Sequence, residues 1–437
     1  MSNFRLREKA LLLFVLIIHL LSVFIIWQTF PHLADSGLSR LFIPPVAMFI
    51  CWIITSILLA KYQCYDEILL PVMAILAAIG SLFLLRIAGG AGAAGFDDAS
   101  RYLNEYNRQI MWFFIGWAIS IAIIIGLKDY RRLASFKYIV VFAAIILLLL
   151  TTIFGHSVGG QQLVLRLGPL SFQPHDPVKA LMVIFLAAYL AEKRDLLKLV
   201  SGFRGIITGL DLRYLGPMLA LWLTIMAIVF KHNDLGAAML LFSVMLGMLY
   251  IGTGIMRYIA IGFSMLTVGG LAAFAIVKRV QTRVYTWLDP WADIDNKGMQ
   301  ISQALMAMGN GRLLGAGLGA GFPDGIPVLE SDMIYAVIAE DLGLIGSVFI
   351  IALILILVGR MMKIALRSDN DFGKMLAAGI GITLAIQAFV IIGGVVKLIP
   401  LTGIPLPFIS YGGTSLVTNM VLVTLALKVA MGKKASG

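Results

Sequence analysis

Apolar runs of about 17 to 25 residues recur along nearly the whole chain, each long enough for a helix to cross ~30 Å of hydrocarbon. Twelve can be placed, at approximately 10–30, 42–60, 67–88, 109–127, 138–156, 177–192, 214–230, 234–252, 257–277, 334–359, 374–396 and 411–431. Backbone groups in lipid must be satisfied within their own span, and the alternating ten-residue segments of a barrel are missing, so the spans are helices. Only 13% of the 437 residues are charged and 60% are hydrophobic, which leaves no stretch for a soluble domain of useful size. The expected fold is therefore all-α, a polytopic transmembrane helical bundle. The first run is too long for a signal-peptide core and has no small-residue cleavage site, so it reads as a retained anchor.

Orientation follows from Lys and Arg. With Arg5, Arg7 and Lys9 cytoplasmic, the inner segments carry Lys128, Arg131, Arg132 and Lys137, then Lys193, Arg194, Lys198 and Arg204. Further along they carry Arg360, Lys363, Arg367 and Lys374, and finally Lys428, Lys433 and Lys434. The segments between are longer and more dilute in positive charge, so both termini are expected in the cytoplasm. The same pattern accounts for the net charge of +11 without nucleic acid as a partner. Cys51 and Cys64 read as buried or reduced thiols, and His19, His32, His156, His175 and His232 are scattered with no metal-ligand spacing.

One long polar segment, 278–335, interrupts the apolar pattern and is expected outside the cytoplasm. It carries Asp289-Pro290-Trp291-Ala292-Asp293, a stretch at 299–308 with apolar residues at helical spacing, and a glycine-rich run from Gly309 to Gly321. The first reads as a turn bearing carboxylates, the second as a short amphipathic helix, and the third as backbone able to approach a ligand closely. The glycine-rich run is not a nucleotide loop, for it lacks the Gly-Lys-Ser/Thr ending and follows no strand. Two more outer segments are non-helical: 156–176, with Gly159, Gly160 and Gly168, and 397–410, whose three prolines suggest an apolar loop dipping into the membrane. Charges at span edges, namely Lys179, Asp234, Glu340, Asp341 and Lys397, either face the bundle interior or snorkel at the interface.

These residues carry a resemblance. Gln173-Pro174 followed by Lys179, Asp234-Leu-Gly236, Leu288-Asp289-Pro290 with Asp293, Gly309-x-Gly311 with Gly315-x-Gly317, Pro327 with Ser331-Asp332, Ala339-Glu340-Asp341-Leu-Gly343, and Gly403-Ile-Pro405-Leu-Pro407-Phe-Ile-Ser410-Tyr411-Gly412-Gly413 stand in the order and spacing of the SEDS family. That family, of shape, elongation, division and sporulation proteins, includes RodA, FtsW and SpoVE. The resemblance spans about residues 66 to 431, so 1–65 reads as two additional N-terminal helices and 66–437 as a ten-helix core with its loop at 278–335. Four motifs depart from the family pattern, the first being the Arg-Trp pair usual after the first outer glycine, in whose region stand Gln162-Leu163-Val164. Pro174-His175-Asp176 replaces Pro-Ser-Glu, Pro327 to Asp332 replaces Pro-Glu-x-His-Thr-Asp, and Ala237 replaces Thr.

The resemblance implies a peptidoglycan glycosyltransferase of the bacterial cytoplasmic membrane that polymerises lipid II on the outer face, beside a class B penicillin-binding protein. It implies Asp293 as the catalytic carboxylate. Substrate-binding roles are expected for Lys179, Arg283, Arg312, Asp332, Glu340, Asp234, Ser410, Tyr411, Gly412 and Gly413, with Arg279 a weaker candidate. A leaving pyrophosphate calls for positive charge or a divalent cation, Mg or Mn, though the sequence names no metal ligands. Two other classes stay open here: a flippase or transporter of the lipid-linked precursor, which would be expected to show internal repeats, and a non-catalytic scaffold of a synthase complex.

Overall fold

The computed structural model describes residues 5–93, 99–158, 161–167, 170–200, 209–321 and 326–431. Side chains are described within these ranges except at 34–36, 99, 157–158, 161–163, 166–167, 170, 195–200, 209–212 and 214. Of the expected sequence features, Arg204, Lys433, Lys434, Gly159, Gly160 and Gly168 lie outside the described residues, and the Lys198 side chain does too.

The chain runs α1 (Leu6–Thr29), α2 (Ser39–Lys61), α3 (Leu69–Ala93), α4 (Ala99–Gly126), a single turn α5 (Arg132–Ser135) and α6 (Lys137–Phe154). A small antiparallel meander follows, β1 (His156–Val158), β2 (Gln161–Leu167) and β3 (Leu170–Phe172), with His156 opposite Val164 and Leu165 opposite Phe172. Then come α7 (His175–Val200), α8 (Gly209–Lys231), α9 (Leu235–Thr253) and α10 (Met256–Ile276). The long loop holds α11 (Lys278–Leu288), a 3-10 turn (Pro290–Asp293) and α12 (Met299–Gly311). The last helices are α13 (Ile334–Arg367), α14 (Asp371–Val395) and α15 (Gly413–Met431).

Twelve long helices thus fall, among the described residues, where twelve spans were expected, and ten of them are long and apolar enough to cross a membrane. The other two are α7 and α8, whose apolar part is Leu215–Lys231. Helix α4 begins ten residues before the expected span because its first turns, with Arg101, Asn104, Glu105 and Arg108, are too polar to register in a hydropathy reading. Helix α11 was not expected, and the loop 156–176, read only as non-helical, forms the meander.

The chain divides into two compact units, each with its own core. One comprises Met1–Ala122, Val277–Arg360 and Gln387–Met420. At its centre is α3, apolar on every face and buried almost throughout, as a helix without a polar face must be. Arg5 is fully buried: it donates to the Cys64 and Asp66 carbonyls at 2.7 Å each and pairs with Glu8. The Asp66 carboxylate caps α3 through the Leu69 amide at 2.8 Å and accepts Arg360 at 2.6 Å. The other unit comprises Ile123–Ile276, Met361–Ile386 and Val421–Gly437. Its core is built on α7, whose residues Val178 to Leu190 are largely buried, and Arg194 pairs with Asp371 at 2.7 Å.

Helix α13 departs from the expected uninterrupted span. Gly343 takes φ 67° and ψ −167°, breaking the helix and releasing backbone groups that a bilayer cannot satisfy. The glycine-rich run satisfies them. Ala316 and Gly317 donate to the carbonyls of Glu340 and Asp341 at 2.9 and 3.0 Å, and Leu344 and Ile345 donate to those of Arg312 and Leu313 at 3.0 and 3.2 Å. A Cβ on Gly315, itself at φ 88°, would collide with the Asp341 carbonyl. The glycines were expected to let backbone approach a ligand, whereas here they let it approach α13.

A buried ion pair fixes this arrangement. Arg86 Nε donates to Asp341 Oδ2 at 2.8 Å, neither side chain having any exposure, and Gly319 and Gly321 donate to the same carboxylate at 2.9 and 3.2 Å. Asp341 is therefore an interior residue and does not snorkel. Arg86→Leu leaves that carboxylate buried without its counter-charge and is expected to lower stability by about 3–5 kcal/mol. The check is the thermal midpoint of the solubilised protein, and an unchanged midpoint would rule the pair out as a stabilising element.

Candidate active site in the first unit

Asp293 ends a 3-10 turn built by its neighbours. Asp289 caps the turn, its Oδ1 accepting from the Trp291 amide at 3.1 Å, and Pro290 supplies a preset φ at the first position. The chain then folds back so that the Gly298 amide donates to the Asp293 carbonyl at 2.8 Å. A Cβ on Gly298 would collide with the Pro290 carbonyl, so the residue entering α12 must be glycine for this turn to close. The Asp293 carboxylate is half-buried and accepts from Asn296 Nδ2 at 3.0 Å and from the Lys297 amide at 3.4 Å. It is placed by short-range hydrogen bonds and stays partly exposed.

From this turn the contacts lead to the next motif. Gln300 on α12 donates to the Pro327 carbonyl at 3.1 Å. Glu330 is buried, and its Oε1 accepts from Arg101 at 2.8 Å, which also pairs with Glu105 at 3.0 Å. Ser331 donates to Asp332 Oδ1 at 3.1 Å. Burial pushes the Asp332 carboxyl above the usual carboxylate range, against the opposing pull of the Ser331 hydroxyl and the Arg283 guanidinium. Arg283, on α11, and Asp332 both lie beside Gly403.

The proline-rich segment docks on the same motif. The Ser410 hydroxyl donates to the Ser331 carbonyl at 2.6 Å and accepts from the Leu406 amide at 2.9 Å, while the Tyr411 amide donates to the Glu330 carbonyl at 2.8 Å. Gln109 on α4 holds both sides of this turn: its Nε2 donates to the Ser410 carbonyl at 3.2 Å and its Oε1 accepts from the Gly412 amide at 3.3 Å. Gly413 lies against the Trp112 indole, where a side chain would collide. Burial, with Glu105 adding to it, raises the Tyr411 hydroxyl above its ordinary value. Asp332, Ser410, Tyr411 and Gly412 are thus brought into one hydrogen-bonded assembly with Glu330, Ser331 and Gln109, with Arg283 beside Gly403 and Gly413 against Trp112.

Glu340 is buried beside the glycine-rich run, accepting from Asn310 at 3.5 Å. Arg312 is exposed, and its contribution to the contacts described is its backbone carbonyl. Lys397 gives its carbonyl to Trp287 at 3.1 Å. Lys179 and Asp234 belong to the second unit. Lys179 is buried, 3.4 Å from Asp176 one turn earlier, and Asp234 caps α9 through the Ala237 amide at 2.9 Å. Among the described residues no three His, Cys, Asp or Glu side chains gather as a metal site, so no step is assigned to a divalent cation.

Sequence reasoning missed three groups. Arg86 stands near the end of an apolar run and was not singled out among the charges at span edges. Arg101 and Glu105 fell outside the expected span. The histidines, read as scattered, include a pair: His175 Nε2 and His232 Nδ1 are 3.1 Å apart, with Thr152 Oγ1 2.7 Å from His232 Nε2. Burial, reinforced by neighbouring His175, lowers His232 to about 4, so it enters this contact neutral at ordinary pH.

The raised Asp332 carboxyl has a consequence for stability. Its favourable neutral state is fully available below the unfolded value of about 3.9, and the advantage is lost as pH rises through the higher folded value. The thermal midpoint of the native protein is therefore expected to fall relative to Asp332→Asn as pH is raised from about 4 to 7. Parallel pH profiles for the two proteins would contradict the assignment.

Comparison with known proteins agrees with this architecture. The family model for FtsW, RodA and SpoVE, described as cell cycle protein, matches residues 66–435. Peptidoglycan glycosyltransferase RodA of Mycobacterium tuberculosis (strain ATCC 25618 / H37Rv) is 36% identical over 380 residues, 84% of this chain and 78% of that protein. The probable peptidoglycan glycosyltransferase FtsW of Geobacter metallireducens is 32% identical over 386 residues, 86% of this chain and 98% of that one. A chain from a solved peptidoglycan synthase complex shares the fold, with a TM-score of 0.66 at 24% identity over 84% of this chain and 97% of its own. By the family model that matches residues 66–435 and by these two relatives, this chain belongs to the FtsW, RodA and SpoVE family of cell cycle proteins.

Proposed function

We propose that this multi-pass protein of the cytoplasmic membrane, a peptidoglycan glycosyltransferase, polymerises lipid II on the outer membrane face with Asp293 as general base. The acceptor's N-acetylglucosamine 4-hydroxyl attacks the donor's anomeric carbon. The new glycosidic C–O bond forms as the bond to undecaprenyl pyrophosphate breaks, and the hydroxyl proton passes to the Asp293 carboxylate. The observation that carries this reading is the built turn at Asp293, where Asp289, Pro290, Asn296 and Gly298 together hold a half-exposed carboxylate in one orientation. General-base assistance of this kind contributes about 10²- to 10⁴-fold in rate.

Lipid-linked substrates require a site that opens toward the membrane, and the apolar, proline-rich segment 397–410 beside Asp332 suits the approach of a polyprenyl chain. Lys179 is a candidate substrate-binding residue within the second unit. In the first unit, Arg283 and Arg312 are the cations we assign to the pyrophosphate. Glu340 and Asp332 orient these groups, and Asp234 shapes the second unit's end of α9. The sidedness follows from the charge pattern, with both termini in the cytoplasm and 278–335 outside. A class B penicillin-binding protein is the expected partner, in keeping with the synthase complex whose chain shares this fold. Residues 1–65 are an addition to the family core, which begins at 66.

The test is the purified protein with its class B partner and lipid II, followed by separation of glycan strands. Asp293→Ala is expected to remove polymer to the limit of detection, a loss of at least about 10²-fold. Persistent glycan chains would overturn the mechanism. Gly298→Ala, which forces the turn open without touching a carboxylate, is expected to lose most of the activity while retaining the thermal midpoint to within a few degrees. Full activity in that variant would show that turn closure does not position Asp293.

A further inference from the structure

The end of α1, which precedes the family-matched region, packs against the glycine-rich run through Thr29 and Phe30. Helix α1 is fixed to α3 and its flanks at three heights. At its start Arg5 donates to the Cys64 and Asp66 carbonyls, and at its middle His19 Nε2 is 3.2 Å from Ser81 Oγ. At its end the Phe30 ring, 7% exposed, enters a slot between two glycines. A Cβ on Gly89 of α3 would lie 2.5 Å from Phe30 Cδ2, and one on Gly319 would lie 3.1 Å from Phe30 Cε2 and 3.2 Å from Thr29 Cγ2. One turn beyond Gly89 on α3, Gly92 faces the His32 ring in the same manner.

Gly319 is the residue whose amide donates to Asp341 Oδ2 at 2.9 Å. The turn it belongs to therefore has two supports: α13 with Arg86 on one side, and Phe30 with Thr29 on the other. We propose that the end of helix α1 is a built-in brace, in which Phe30 is a positioning residue that holds the run Gly315–Gly321 against the broken part of α13 and so keeps Glu340 in place. Gly89 and Gly319 lie inside the family-matched region, 66–435, while the ring that fills their slot lies outside it. The brace follows from that division: core residues form a cavity whose occupant is supplied by the extension.

Hydrogen exchange on the full-length protein in lipid nanodiscs reads the brace without any substrate. Phe30→Ala is expected to speed exchange of the Gly317, Gly319 and Ala320 amides by about tenfold or more, with the helical amides of α3 and α13 unchanged. Phe30→Leu, which refills the slot with an apolar side chain, is expected to restore most of the protection. Phe14→Ala, on the exposed face of the same helix, is expected to change nothing. If Phe30→Ala does not fold, Gly89→Ala reads the same amides by pressing the ring out with one methyl. Unchanged exchange at 317–320 in whichever of these variants is folded would overturn the proposal, as would loss of protection spread evenly over α1, α3 and α13. In the glycan assay, which rests on the function proposed above, Phe30→Ala should slow polymerisation and Phe30→Leu should recover it. A brace confirmed by exchange with no effect on polymerisation would leave the functional reading standing and deny only the link to Glu340.

Discussion

The break in α13 at Gly343 is the constraint on which the first unit depends. A transmembrane helix satisfies its own backbone, so an interruption leaves donors and acceptors that must find partners in protein, each unsatisfied group costing several kcal/mol in hydrocarbon. Here the partners come from one segment, residues 312–317, which runs alongside 340–345 and exchanges four backbone hydrogen bonds with it. The two strands of chain approach so closely that glycine is required on both, at Gly315 and Gly343. The sequence therefore carries Gly-x-Gly repeats and an Asp-Leu-Gly motif far apart in the chain that make sense only together.

The charges in this region follow from the same geometry. Asp341 sits where the broken helix exposes amides of the glycine-rich run, and it gathers two of them together with Arg86. A carboxylate with four donors, Arg86 Nε and Nη2 and the Gly319 and Gly321 amides, is tolerated in an apolar core because its desolvation is offset by charge-assisted bonds. Glu340, its neighbour, also lies beside Gly321 but accepts from Asn310. Adjacent acids in one motif thus differ in their partners, Arg86 for Asp341 and Asn310 for Glu340.

Most of the fold was legible from hydropathy alone, since a helix that must cross ~30 Å of hydrocarbon leaves an unmistakable apolar run. What hydropathy misses is polarity that is neutralised in pairs. Arg101 and Glu105 lengthen α4 beyond its apolar run because each meets an opposite charge, and Arg86 is buried because Asp341 lies opposite, 255 residues away. Such a pair has no local signal, and neither does the contact of His175 with His232. The carboxylate turn was better signposted. Asp-Pro specifies its start by short-range rules, whereas the need for Gly298 at its end depends on how the chain closes on the Pro290 carbonyl.

Asp293 and Asp332 show why a catalytic assignment favours the less buried of two acids. Deprotonating a sugar hydroxyl requires an ionised carboxylate that can reach the substrate and return to that state after each turnover. Asp332 accepts from the Ser331 hydroxyl beside Arg283, and burial disfavours its charged form. Asp293 has one carboxylate oxygen anchored by Asn296 and the other by the Lys297 amide, and the residue is only half-buried. Departures from the family pattern between Pro327 and Asp332 fall on the orienting assembly, where one polar contact can be exchanged for another. The Asp293 turn admits less exchange, because a proline, a glycine and two side-chain caps close it within ten residues, from Asp289 to Gly298.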